Sequence, residues 1–279
     1  MRYDPAVLTR LIVLATGMAL AVVPAGASRD KLAAGLAAVD VGRTEEALKS
    51  LDGALKEGTP DAGYYLGRMV ETGMGLAQDA PKAVELYKHA ARLGSAKALH
   101  RLGVLALEGR YVTQDLPRGR QLVCEAARYD DVDAAVSCAT LLLDGRGGDK
   151  DMPRAIELYR QAAGRGAIPA VLALGYAHLR GLGVDKDLDL ARSHFEQAAA
   201  RGNPIALHEI AQMLEAGRPV ARDLVKAHAY FKLAAARGHQ DAALHVARIA
   251  ARLTAAEREA SRDLASYWRP ATPPERTDR

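Results

Sequence analysis

The chain has 279 residues, with 49% hydrophobic and 26% charged residues and a formal charge of +4. So weak a positive balance, spread along the chain, excludes a nucleic-acid binder built on a basic surface. A hydrophobic share high through Ala and Leu favours helices.

Residues 1–27 have the form of a secretory signal. Arg2 and Arg10 give a basic start, and the apolar run Leu11 to Val23 is too short to span a bilayer comfortably. Pro24 ends the run, and Ala25-Gly26-Ala27 offers a small-residue cleavage site before Ser28. No lipobox cysteine follows. The expectation is a periplasmic or secreted protein with no transmembrane segment once the signal is cleaved.

Residues 28–58 read as a worn, capping copy of a unit that then repeats five times, at 59–94, 95–130, 131–166, 167–202 and 203–238. The period is 36 residues: Gly73 returns as Gly109, Gly145, Gly181 and Gly217, and Asp79 as Asp115, Asp151, Asp187 and Asp223. A fixed period in this range signals stacked supersecondary units. Each unit predicts two helices. The first carries Ala62, Leu66, Met69 and Val70 at helical spacing and stops at Gly73, which can take a left-handed cap. Asp79 is an N-cap for the second helix, with Pro81 early in its first turn. The second helix carries Ala83, Leu86, Tyr87 and Ala90 and ends at Gly94. Asp130 stands where the other units have that closing glycine.

Small residues recur where helices must approach. Column 67 reads Gly67, Gly103, Ala139, Gly175 and Ala211, and column 62 is alanine in all five units. Column 87 carries the bulk: Tyr87, Val123, Tyr159, Phe195 and Phe231. A unit of this kind cannot bury its apolar face alone and needs stacked neighbours. With no Pro/Ser-rich linker, the expectation is one elongated domain.

After the fifth unit, residues 239–269 predict a lone first-type helix, Gln240 to Arg252, and a final helix opened by a capping box at Thr254-Ala-Ala-Glu257. Ala260, Leu264 and Tyr267 are expected to lie on the last repeat. Residues 270–279 are polar and proline-rich and read as disordered.

The segments LGRMVETGMGLAQDAPKAVELYKHAARLG and LGYAHLRGLGVDKDLDLARSHFEQAAARG resemble the Sel-one-like repeat (SLR), a relative of the tetratricopeptide repeat. The resemblance covers about four-fifths of the chain. The second and fifth units depart from it in the loop, at Val112–Gln114 and Arg218–Val220. It implies an all-α, right-handed solenoid of antiparallel helix pairs, a scaffold or adaptor role, and no common catalytic residues or cofactors. Some exported members act on envelope polymers, and one branch is linked to β-lactam binding and hydrolysis, so both remain as alternatives. The motif set of penicillin-recognising enzymes is not assembled here.

The two cysteines pose an open choice. Cys124 and Cys138 fall about two turns along facing helices, and an even pair in an exported chain favours a disulfide. Cys138 also occupies a core column with Leu66, Leu102, Leu174 and Ile210, which suits a buried free thiol equally. The histidines give no metal motif: His100 and His208 share a column in separate repeats, and His194 substitutes for core leucines. No Walker loop, dinucleotide fingerprint or nucleophile elbow occurs.

What varies most lies on the first helices. Columns 65, 68 and 72 are spaced by three and four, so they form one stripe, and they change type from unit to unit. Tyr65, Arg68, Arg101, Tyr176 and Arg180 are the candidate partner-binding residues, since aromatic and arginine side chains anchor interfaces. On the concave wall of such a solenoid they would meet a protein or peptide, or an envelope polysaccharide.

Overall fold

A computed structural model describes residues 25–270. The signal segment therefore lies almost wholly outside the described residues, as does the tail beyond residue 270. Among the described residues there are fourteen α-helices and no strand. The helices form two compact units, divided between Lys150 and Asp151. The sequence reading expects one continuous array; the division falls inside the third repeat, in the glycine-bearing loop around Gly145, Gly147 and Gly148.

The first unit holds α1 (Ala25–Asp40), α2 (Thr44–Lys56), α3 (Pro60–Thr72), α4 (Ala80–Arg92), α5 (Ala96–Glu108), α6 (Leu116–Ala126) and α7 (Val132–Asp144). Each helix packs on the next in chain order, and α5 also touches α3 and α7. The second unit holds α8 (Met152–Gly164), α9 (Ile168–Arg180), α10 (Leu188–Ala200), α11 (Pro204–Ala216), α12 (Leu224–Ala236), α13 (Ala242–Ala250) and α14 (Ala255–Tyr267). Here α14 packs on α12.

The punctuation residues do what their chemistry dictates. Gly73, Gly109, Gly145, Gly181 and Gly217 all cap first helices in the left-handed region, with φ between 67° and 74°. The five aspartates of column 79 all cap second helices, each carboxylate accepting a backbone N–H of the first turn. Asp130 takes φ 62°, standing in for the closing glycine of the other units.

Packing follows from the small columns. All five alanines of column 62 are fully buried. A Cβ on Gly67 would lie 2.5 Å from the Tyr87 ring, and one on Gly175 would lie 2.7 Å from Phe195. The absent side chain is therefore the space that the aromatic ring fills, and close-packed interiors leave no slack there.

The final helix corrects one expectation. Its capping box forms as predicted. Its packed face, however, is not Ala260, Leu264 and Tyr267: Leu264 is 46% and Tyr267 82% exposed. Ser261 is fully buried instead, its hydroxyl 2.7 Å from Nδ1 of the buried His228 on α12, and Trp268 carries Arg237 over its ring. Apolar spacing alone put the wrong face inward; a buried imidazole needs a polar partner, and only the Ser261 face supplies one.

Candidate functional site: a recess on the first helices

Helices α3, α5 and α7 are the first helices of three successive repeats, and they stand side by side in the first unit. Between them lies a recess of about 330 Å³, bordered by Tyr64, Tyr65, Arg68, Lys97, His100, Arg101, Val104, Asp131 and Asp133. Three of the five candidate residues, Tyr65, Arg68 and Arg101, thus border one cavity.

They do not stand in it alike. Arg101 is committed to Glu71 of α3, donating Nε to Oε2 at 3.0 Å and a terminal nitrogen to Oε1. Tyr87 donates its phenol to the same Oε2 at 2.6 Å. Burial pushes the Glu71 carboxyl up, but the bonds from Arg101 and Tyr87 outweigh it and hold the group below its ordinary value. Glu71 therefore stays ionised, 3% exposed, with a guanidinium over it. Arg101 bolts α5 to α3.

Tyr65 is half-buried, packs edge-on against Tyr64 at 5.0 Å, and accepts a bond from Lys97 at 3.1 Å. Lys97 also pairs with Asp61 at 3.1 Å. Burial opposes its charge, yet Tyr65 and Asp61 outweigh burial and raise its pKa. Arg68 is exposed, and no ion pair within the described residues takes its guanidinium. On the far wall, His100 meets Ser137 Oγ at 2.9 Å. Burial lowers its pKa against the pull of Asp131 and Asp133, so His100 is neutral near pH 7.

The remaining candidates lie in the second unit. Tyr176 donates its hydroxyl to Glu209 at 2.9 Å, packs edge-on against Phe195 at 5.2 Å, and lies under the Arg180 guanidinium. Burial, then Glu209, raises the Tyr176 pKa. Both side chains are thus engaged within α9–α11. At the end of that unit Glu215 gathers Arg248, Arg252 and His245. His245 Nδ1 accepts from Arg248 at 2.8 Å. No group of three or more His, Cys, Asp or Glu side chains is placed to hold a metal ion among the described residues.

Sequence reasoning missed Tyr64, Lys97, Asp131, Asp133 and Glu71. For Glu71 the signal was present: its column reads Glu71, Leu107, Leu143, Leu179 and Glu215, so a carboxylate replaces leucine twice. Each time a base follows thirty residues on, Arg101 and His245. For Lys97 and Asp133 the signal is the sign change along the column Asp61, Lys97, Asp133.

Cys124 of α6 and Cys138 of α7 are joined, with Sγ–Sγ 2.00 Å and Cα atoms 4.9 Å apart. The bridge lies within the first unit and pins two helices of successive repeats.

Helix pairs repeated at a fixed period, capped alike and packed small against large, define an all-α repeat solenoid. Five Sel1 repeats are recognised, at residues 60–95, 96–128, 132–166, 168–203 and 204–239, and the chain belongs to the Sel1 repeat family. A Sel1 repeat protein from Oxalobacter formigenes is 25% identical, with TM-score 0.68, over 75% of this chain and 86% of that one. A protective antigen present in uropathogenic Escherichia coli strains, displaying an SLR fold, is 23% identical with TM-score 0.70. That match covers 86% of this chain and 54% of the antigen, and it shows the fold alone. No curated protein matches the chain significantly. Sel1 repeats generally serve as protein-interaction scaffolds, typically without catalysis of their own. No helix among the described residues is long and apolar enough to cross a membrane.

Proposed function

We propose that this chain is an exported, non-enzymatic scaffold that binds a protein or peptide partner on the face presented by its first helices. The observation that carries this reading is the recess between α3, α5 and α7. It combines tyrosine faces, an arginine without an ion pair among the described residues and carboxylates, the mixture by which protein surfaces are recognised. Two further observations support it. The residues of the recess belong to columns that vary between units while the core columns hold their type. The Cys124–Cys138 bridge suits an oxidising compartment, in keeping with the signal-like residues 1–27.

A glycan-binding surface would ask for successive aromatic faces lying open along the helices. Tyr64 and Tyr65 instead meet edge-on, and Lys97 lies over the Tyr65 ring. The envelope-polysaccharide reading is therefore second. The test is cross-linking capture by the exported protein in its own cells, with Arg68→Ala and Tyr176→Ala beside it. Loss of a specific protein adduct in either variant supports the reading. Identical adducts from all three proteins, or adducts to glycan alone, would refute it.

A further inference from the structure

The polar groups around the recess divide into those already engaged and those that are not. Arg101 is held by Glu71, and Lys97 by Asp61 and Tyr65. Glu71 takes its bonds from Arg101 and Tyr87, and Arg68 acts on it only through its field, with no ion pair between them among the described residues. Arg68 therefore stands on α3 as a cation without an ion pair among the described residues. Across the recess, Asp131 caps α7 through one oxygen at 2.7 Å from the Ala134 nitrogen, leaving the other open. Asp133 is exposed and enters no ion pair among the described residues. His100, beside both aspartates, is neutral and does not cancel them. Between the poles, half-buried Tyr64 and Val104 supply apolar surface.

A cavity with a cation at one end and two carboxylates at the other selects against uniformly charged ligands. A polyanion meets Asp131 and Asp133, and a polycation meets Arg68. Like charges set against each other cost a partner more than a good pair returns. The helices α3 and α7 are separated by α5, so their axes lie two packing steps apart, roughly 16–20 Å. An extended chain covers that distance in about five or six residues at ~3.3 Å each.

We infer that the recess between α3, α5 and α7 holds an extended peptide segment bearing an acidic side chain for Arg68 and, about four residues away, a basic one for Asp131 and Asp133. An apolar or aromatic side chain between them covers Tyr64 and Val104. The inference rests on the scaffold reading above and names the partner's chemistry at one site.

The experiment uses the purified exported protein and four fluorescein-labelled peptides flanked by glycines: Glu-Ser-Phe-Ser-Lys, its reverse, and the forms with two Glu or two Lys. Fluorescence anisotropy reads the dissociation constants. One of the two dipolar peptides binds at least about five-fold tighter than either uniformly charged one, the scale of a single well-placed charge pair. Arg68→Glu and Asp133→Lys each abolish that preference. The double variant restores binding with the opposite peptide orientation preferred. Both positions are exposed, and circular dichroism confirms that the variants remain helical.

Equal binding of all four peptides, or a dipolar preference that survives both single variants, overturns the inference. The scaffold reading fails separately. Cross-linked partners whose recovery ignores Arg68→Glu and Asp133→Lys but falls with Tyr176→Ala leave the scaffold standing and overturn the recess assignment. Peptide discrimination by the recess with no protein adduct in cells supports the recess and removes the scaffold role.

Discussion

Glu71 and Arg101 form a buried ion pair between two first helices, and Tyr87 of the intervening second helix closes it from below. In the next three repeats leucine occupies the Glu71 column, so the pair is an insertion of charge into a seam that packs well without it. Removing one partner strands the other, at a cost of about 3–5 kcal/mol, whereas replacing both with apolar residues is often neutral. Glu71→Ala should therefore destabilise the first unit by that amount, while the double variant Glu71→Leu with Arg101→Met loses far less. Urea unfolding followed by circular dichroism measures both. A double variant as weak as the single one would show that the pair does more than join helices.

The glycines of the repeat make opposite predictions by position. Gly67→Ala drives a methyl to 2.5 Å from the buried Tyr87 ring, and overpacking of this kind costs about 1–3 kcal/mol. Gly164, the last residue of α8, has nothing within 4 Å of where its Cβ would be. There Gly164→Ala should stabilise by up to about 1 kcal/mol through helix propensity. Thermal melts of the two variants should move in opposite directions.

Acid should weaken the second unit through His208. Its ring is 7% exposed, stacks on His239 at 4.0 Å and lies 5.2 Å from His245. Burial first, then the charges of His239 and His245, push its pKa down to about 4, with Asp241 pulling the other way. The folded group binds its proton less readily than the unfolded one. Its contribution is complete above about pH 6.5 and is lost as pH falls toward about 4. The loss attributable to this group is on the order of 3 kcal/mol. His208→Leu, the residue of Leu172 in the same column, should flatten the dependence between pH 6.5 and 4. An unchanged pH profile would show that other groups carry the acid sensitivity.

The Cys124–Cys138 bridge closes a loop with a sequence separation of 14. A crosslink over so short a loop contributes about 3 kcal/mol. Reduction, or Cys138→Ser with Cys124→Ser, should lower the stability of the first unit by about that much. Thiol labelling of protein taken from cells should find neither cysteine reactive before reduction. Ready labelling would place the chain in a reducing compartment.

Local chemistry was enough for the helices and their ends. Five aspartates and five glycines at fixed spacing specify caps whatever surrounds them, because each acts on backbone groups within a few residues. The same is true of the Gly67–Tyr87 complementarity, since one column is small wherever the other is large. The capping-box helix was equally legible, but its inward face was not. That choice belongs to His228, buried on α12, whose need for a partner turned Ser261 inward and left Leu264 and Tyr267 outside.

The candidate site divides along the same line. The sequence marked the first-helix stripe as the variable surface and named Tyr65, Arg68 and Arg101 within it. Which of those side chains remains available depends on neighbours thirty or more residues away. Glu71 holds Arg101, Lys97 holds Tyr65, and Arg68 is left to border the recess without an ion pair among the described residues. The repeat period determined the scaffold because each unit's contacts recur at one interval. The pairing of charges across helices was decided only by tertiary packing, because it depends on distances that no single repeat contains.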